Sequence, residues 1–153
     1  MTSLLAARKA AFIFNYLRDG HCEITLSWDD GADFVEAFLQ AFPDRSGRKD
    51  DPALERASKR LYRACKELAE DGWLARWVLP NQELADPWRE PRWQHVYDLG
   101  HGAKRRLRDY GETPFTLAAA WSGIPAERIE EASLLADANS WYSGPQLETI
   151  AGR

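Results

Sequence analysis

Apolar side chains at helical spacing predict two helices in the first third of the chain. The first covers Leu4–Arg18, where apolar residues recur every three to four positions until Asp19-Gly20 ends the pattern. Ser27 is a residue type that favours the N-cap of the second helix, and Pro43 closes that helix. The apolar stripe of the second helix consists of Val35, Phe38, Leu39 and Phe42.

A third helix is predicted over residues 51–71. Asp51 suits the N-cap, and Pro52 suits the first helical position because a backbone N–H there would lack an intrahelical partner anyway. Gly72 suits a left-handed cap at the other end. The apolar residues of this helix share one side, and we expect that side to face a core formed with the first two helices. They are Leu54, Ala57, Leu61, Ala64, Cys65 and Leu68.

Three segments have the alternating pattern of β-strands. Residues 22–26 are rich in β-forming residues, and Trp73–Leu79 and Arg92–Leu99 alternate on either side of a polar loop. The first segment is too short to be stable alone, so we expect it to join the other two in one sheet. Alternation places apolar side chains on one face of each longer strand. These residues are Trp73, Trp77 and Leu79 on the second strand, and Trp93, Tyr97 and Leu99 on the third.

The order of the elements predicts an α+β, mainly α fold. Residues 1–110 run helix, strand, helix, helix, strand, long loop, strand and a last helix over about residues 102–110, which is the plan of a winged helix-turn-helix with a small antiparallel sheet. The helix over 51–71 then occupies the place of a recognition helix, and residues 80–92 form the wing. Residues 111–153 are expected to form a helical C-terminal extension.

Charge is distributed unevenly along this chain. The overall net charge is −4, but residues 45–110 carry 15 basic and 11 acidic side chains, whereas the segments before and after each have a net charge of −4. Only the local patch meets the phosphates of a nucleic acid, so the basic middle segment is compatible with DNA binding. No apolar run approaches membrane-spanning length, and we expect a cytoplasmic protein without membrane contact.

The residue types that carry metal or catalytic chemistry form no recognisable pattern. The two cysteines, Cys22 and Cys65, make no Cys-x-x-Cys pair, which argues against a disulfide framework and a structural zinc site. The histidines lack metal-ligand spacing, and no phosphate-binding glycine loop or nucleophile motif occurs. We therefore expect no metal, no cofactor and no enzymatic activity.

The strongest candidate site is a basic face on the third helix. Its five residues recur at helical spacing opposite the apolar stripe, and no acidic residue interrupts them. A major groove admits such a helix, where arginine reads guanine or holds phosphate. The alternative is an ordinary solvated helix face. The candidate DNA-binding residues are Arg56, Lys59, Arg60, Arg63 and Lys66.

The predicted wing adds Arg89 and Arg92, which lie beside tryptophans and suit contact with the minor groove or with phosphate. The alternative is that these arginines pair with Glu83 or Glu90 in the same loop. A second basic run follows in the last helix of the domain, where a salt-bridged surface is favoured over phosphate contact. That run consists of Lys104, Arg105, Arg106 and Arg108.

Two stretches within about residues 60–108 resemble PadR-like winged-helix transcriptional regulators. Residues 60–74, with Leu61-Tyr62 near the start and Gly72 near the end, resemble the third helix of that family. Residues 91–107 resemble the family's second wing strand, which is basic, ends in Tyr-x-Leu and leads into a glycine-containing helix start. The resemblance implies a transcription regulator that binds double-stranded DNA through the third helix and the wing.

The C-terminal extension departs from the long dimerising helix of that family, because glycines and prolines interrupt it. It also holds several large apolar residues, so we expect residues 111–153 to mediate a homodimer or a protein-partner contact. The function expected from the sequence is transcription regulation by DNA binding. The alternative is a winged helix that serves as a protein-interaction module in a larger assembly.

Overall fold

The computed structural model describes residues 2–18, 24–25, 32–43, 53–81 and 92–139, and it has the predicted mainly helical α+β architecture. No helix in these ranges combines the length and the apolar content that crossing a membrane requires. The helices are α1 (Leu4–Arg18), α2 (Ala32–Ala41), α3 (Ala53–Glu70), α4 (His101–Arg108), α5 (Pro114–Ser122) and α6 (Ala126–Asn139). The strands are β1 (Ile24–Thr25), β2 (Leu74–Asn81) and β3 (Arg92–Leu99).

Helix α3 packs against α1, α2 and β2, and it ends as predicted. Leu61 and Leu68 are fully or almost fully buried against side chains of α1 and α2. Gly72 takes the left-handed conformation with φ of 83°, and the Trp73 N–H donates to the Leu68 carbonyl at 2.9 Å. The Gly72 N–H donates to the Ala69 carbonyl, which completes a Schellman motif and directs the chain into β2.

The three strands form one antiparallel sheet with β3 in the centre, so the prediction that the short first strand joins the other two is confirmed. The register places Tyr97 opposite Arg76, and Trp77 opposite Val96. Directly opposed residues share a face, so Trp77 and Tyr97 lie on opposite sides of the sheet. Tyr97 is buried in the core, whereas Trp77 is 47% exposed on the outer side.

Helices α5 and α6 form a pair that packs against α1. Thr113 and Thr116 form a capping box at the start of α5, and Gly123, with φ of 79°, ends that helix. Leu117 and Ile129 are fully buried in the same apolar core as α1–α3. These two large apolar residues of the extension therefore pack within the chain, whereas Leu134 is 62% exposed and Trp141 lies outside the described residues. The predicted homodimer or partner contact remains a prediction.

Candidate nucleic-acid interface

The outer face of α3 carries most of the predicted basic residues. Lys59, Arg63 and Lys66 are exposed, and Arg56 is half-buried. Leu61 and Cys65 on the other side are completely buried, so the amphipathic division of the helix is as the sequence indicates. These four cations form the exposed basic face of α3.

Arg60 does not belong to that face, and the prediction that it points away from the core is wrong. Its Nη2 donates to the carbonyl oxygen of Phe42 at 3.0 Å, just beyond the C-terminus of α2. Its guanidinium carbon lies 5.4 Å from the centroid of the Phe38 ring. Arg60 therefore ties α3 to the end of α2, where a helix leaves carbonyl groups without intrahelical partners.

The neighbours of Arg60 along the helix explain this placement. Residues three and four positions apart are adjacent on a helix surface, and the neighbours of Arg60 at those spacings include Ala57 and Ala64 of the apolar stripe. Alanine leaves room for the aliphatic stem of an arginine to cross to α2. Arg63 has only polar residues at the corresponding positions, namely Lys59, Arg60, Lys66 and Glu67.

Arg76 of β2 extends the basic face and was not predicted from the sequence. Its Nη2 donates to the hydroxyl oxygen of Tyr62 at 3.4 Å, and Tyr62 lies on α3. Arg76 faces the same side of the sheet as Tyr97, because the two residues are directly opposed. Alternation along β2 places Arg76 on the face opposite Trp77, but only the pairing with β3 shows that the Arg76 face is the one toward α3.

The C-terminal end of α3 has the opposite charge. Its last turn contains Glu67 and Glu70 and no basic residue. Lys66 approaches Glu70 at 4.0 Å, and both side chains are well exposed, so this ion pair contributes little to stability. Positive charge is consequently concentrated over the middle turns of the helix, between Glu55 and Glu67.

The predicted wing contributes two candidate arginines, Arg89 and Arg92. Arg89 and most of the predicted wing lie outside the described residues. Arg92 begins β3, with its backbone opposite Asn81. Their predicted DNA contacts remain predictions.

Two of the four cations in the basic run of α4, Lys104 and Arg106, form ion pairs within the protein, in agreement with the favoured interpretation of a salt-bridged surface. Lys104 Nζ lies 3.1 Å from Asp98 Oδ2. Arg106 makes two hydrogen bonds to the Glu112 carboxylate, and its guanidinium carbon lies 5.5 Å from a Trp73 ring centroid. The hydrogen bonds between Arg106 and Glu112 lower the pKa of the Glu112 carboxyl group and raise the pKa of the Arg106 guanidinium group.

The described residues contain no cluster of three or more His, Cys, Asp or Glu side chains that would hold a metal ion. Cys65 is a free thiol, and its complete burial raises its pKa, so it stays protonated and acts as an apolar core residue.

Comparison of the chain with models of protein families, with curated proteins and with solved structures gives no match. The resemblance to PadR-like regulators therefore rests on the sequence features given above.

Proposed function

We propose that the protein is a winged-helix DNA-binding protein that acts in transcription regulation and places α3 in the major groove. The observation that carries this proposal is the exposed basic face of α3, opposite a fully apolar buried side. The order of three helices and a three-stranded antiparallel sheet supports the winged-helix assignment, because β2 and β3 then form the hairpin that bears the wing.

The distribution of charge along α3 supports an anionic partner. Cations stabilise a helix near its C-terminus and anions near its N-terminus, through the helix dipole. Glu67 and Glu70 occupy the last turn of α3, whereas Arg56, Lys59 and Arg63 precede them. Glu55 in the first turn suits the dipole, but the cations that follow it and the two acids of the last turn do not. An anionic partner over the middle turns gives the position of these cations a physical reason.

The exposed cations have different expected roles in this docking. Arg56 and Lys59 are nearest the N-terminus of α3, the part of a recognition helix that contacts base edges. Arg63, Lys66 and Arg76 lie later on α3 or on the adjacent sheet, and we assign them to phosphate contacts. Arg60 has no reading role in the proposal, because its guanidinium contacts α2.

The test is the salt dependence of binding to a labelled random-sequence duplex, measured by fluorescence anisotropy. The logarithm of the binding constant should fall linearly with the logarithm of salt concentration. Arg63→Ala should lower the slope by about one unit, because one phosphate contact releases about one counterion. Arg128→Ala on α6 is the matched control, since it removes the same charge from an exposed position on a helix that packs on α1 and α5.

Equal salt-dependence slopes for the parent and Arg63→Ala would show that α3 does not contact the DNA. Absence of binding by the parent at low salt would overturn the DNA proposal altogether, and the protein-interaction module would then be the better explanation of the fold.

A further inference from the structure

Helix α6 carries an exposed acidic face on the side away from the core. Glu127, Glu130 and Glu131 are exposed, whereas Ile129 on the inner side is completely buried. Leu134 follows Glu130 and Glu131 at spacings of four and three residues, so it is their neighbour on the helix surface, and it is exposed as well. These four exposed residues form the acidic face of α6.

Interactions within the chain account for only part of this face. Glu127 lies in the first turn of α6, where a carboxylate interacts favourably with the helix dipole. Glu130 and Glu131 lie beyond that turn, and no hydrogen bond or ion pair joins them to another residue in the described part of the chain. Leu134 leaves a large apolar side chain in water beside them. The face therefore suits a partner that supplies cations around an apolar contact.

The basic face of α3 has the charge and the spacing that such a partner needs. Both faces recur at i, i+4 and i+7, so two helices laid side by side bring several of these positions together. The positions are 59, 63 and 66 on α3 and 127, 131 and 134 on α6. Lysine and arginine have long apolar stems, which can cover Leu134 while their charged groups reach the carboxylates. Opposite charge and matching periodicity make the two faces complementary.

The two faces do not cover each other within one chain. Both are exposed in the folded protein, and α6 packs on α1 and α5 whereas α3 packs on α1, α2 and β2. They can therefore meet only between two copies. In a two-fold dimer, each copy contributes one basic face and one acidic face, so the same contact forms twice.

We propose that the acidic face of α6 in one copy docks on the basic face of α3 in a second copy. Exposed ion pairs contribute little individually, so this association is weak and depends on salt. The α6 carboxylates take the positions that DNA phosphates occupy in the proposed function. Self-association therefore competes with DNA binding. This competition rests on the proposed function, whereas the docking of the two copies does not.

Sedimentation velocity of the full chain over a concentration series tests the docking. A dimer is expected at about 0.01 M salt and a monomer at about 1 M salt, because the range of electrostatic interactions falls from about 30 Å to about 3 Å. Arg63 and Glu131 are the middle positions of the two repeats, so they lie close together whether the two helices run parallel or antiparallel. Arg63→Glu and Glu131→Lys should each raise the dissociation constant of the dimer by about tenfold or more, because like charges then face each other.

The decisive measurement uses an equimolar mixture of the two variants. In the mixed dimer, the new acid on one copy faces the new cation on the other, and the second contact keeps its original charges, so the mixture should associate as tightly as the parent. The controls Glu36→Lys and Arg108→Glu change the net charge by the same amounts at exposed positions of α2 and α4, and they should leave the dissociation constant unchanged. Leu134→Ser should weaken the dimer without changing its charge, which keeps the docking testable if a charge variant does not fold.

A parent that stays monomeric at low salt overturns the docking, as does a mixture that stays monomeric or a control variant that weakens association as much as Arg63→Glu. Addition of the labelled duplex should dissociate the dimer, and a duplex complex that contains the dimer contradicts docking on α3. If the mixture restores the dimer but the parent binds no DNA, the proposed function fails and the docking stands. If DNA binding depends on Arg63 but the parent never associates, the docking alone fails.

Discussion

Replacement of Arg60 by alanine should destabilise the fold, although Arg60 was expected from the sequence to read DNA. The side chain loses a hydrogen bond from its guanidinium to the Phe42 carbonyl at 3.0 Å and a cation–π contact with Phe38 at 5.4 Å. A hydrogen bond from a charged donor contributes about 1.5–3 kcal/mol, and an accessible cation–π contact adds about 0.5–1 kcal/mol.

Two features of the same site reduce the expected loss. Burial and then the positive charge of Arg60 lower the pKa of Lys9, so removal of Arg60 relieves the repulsion between these two cations. The Arg60 Nε is buried without a hydrogen-bond partner in the described part of the chain, and that desolvation cost disappears with the side chain. The net decrease in the free energy of unfolding for Arg60→Ala should therefore be about 2 kcal/mol.

Urea unfolding followed by circular dichroism measures this change as a lower midpoint at unchanged slope. Arg63→Ala is the matched control and should stay within about 0.5 kcal/mol of the parent, because its side chain is exposed. Arg60→Met should lose less than Arg60→Ala, since the apolar stem still packs against the alanines of α3. If Arg60→Ala unfolds at the parental midpoint but binds DNA more weakly, Arg60 is a reader after all and the structural assignment fails.

Three further perturbations test other parts of the structure. Gly100→Ala should destabilise the fold by about 1–3 kcal/mol, because the new Cβ would lie 2.7 and 2.8 Å from two backbone carbonyl oxygens in the turn between α3 and β2. The control is Gly102→Ala in α4, whose Cβ meets no atom within 4 Å and which should stabilise the fold by about 0.5–1 kcal/mol in the same urea assay. The hydrogen bonds from Arg106 lower the pKa of Glu112 in the folded protein. The ionised Glu112 therefore stabilises the fold fully above its unfolded pKa of about 4.3, and this stabilisation is lost as pH falls through the lower pKa of the folded state. Glu112→Gln should accordingly lose less stability than the parent between neutral pH and pH about 3, and parallel pH profiles would refute this. Truncation after Tyr110 uncovers the core that α5 and α6 bury, so it should produce aggregation or a lower melting temperature, measured by sedimentation and thermal scanning. A soluble truncated chain with the parental melting temperature would contradict the packing of the extension on α1.

The elements that the sequence determined are those whose signals are local. The bounds of α1 and β3 agree with the prediction because apolar periodicity and terminating residues lie within the segments themselves. Gly72 likewise ends α3 as expected, since a left-handed cap depends on one residue type at one position. The burial of Leu61 and the exposure of Arg63 also follow from spacing along a single helix.

Tertiary structure decided the features that depend on what lies opposite each element. The contacts of Arg60 depend on the position of the C-terminus of α2. The Phe42 carbonyl there accepts a hydrogen bond from Arg60 across 18 residues, which helical spacing cannot reveal. The exposure of Trp77 was decided by the β2–β3 register, because a shift of one residue would exchange the two faces of the strand. A groove between α1, α2, α5 and α6 exists only because α5 and α6 return to pack on α1, so its lining combines residues from four helices that are distant in the chain. Patterns along a segment determine which side of it is apolar, whereas long-range packing determines which neighbour that side meets.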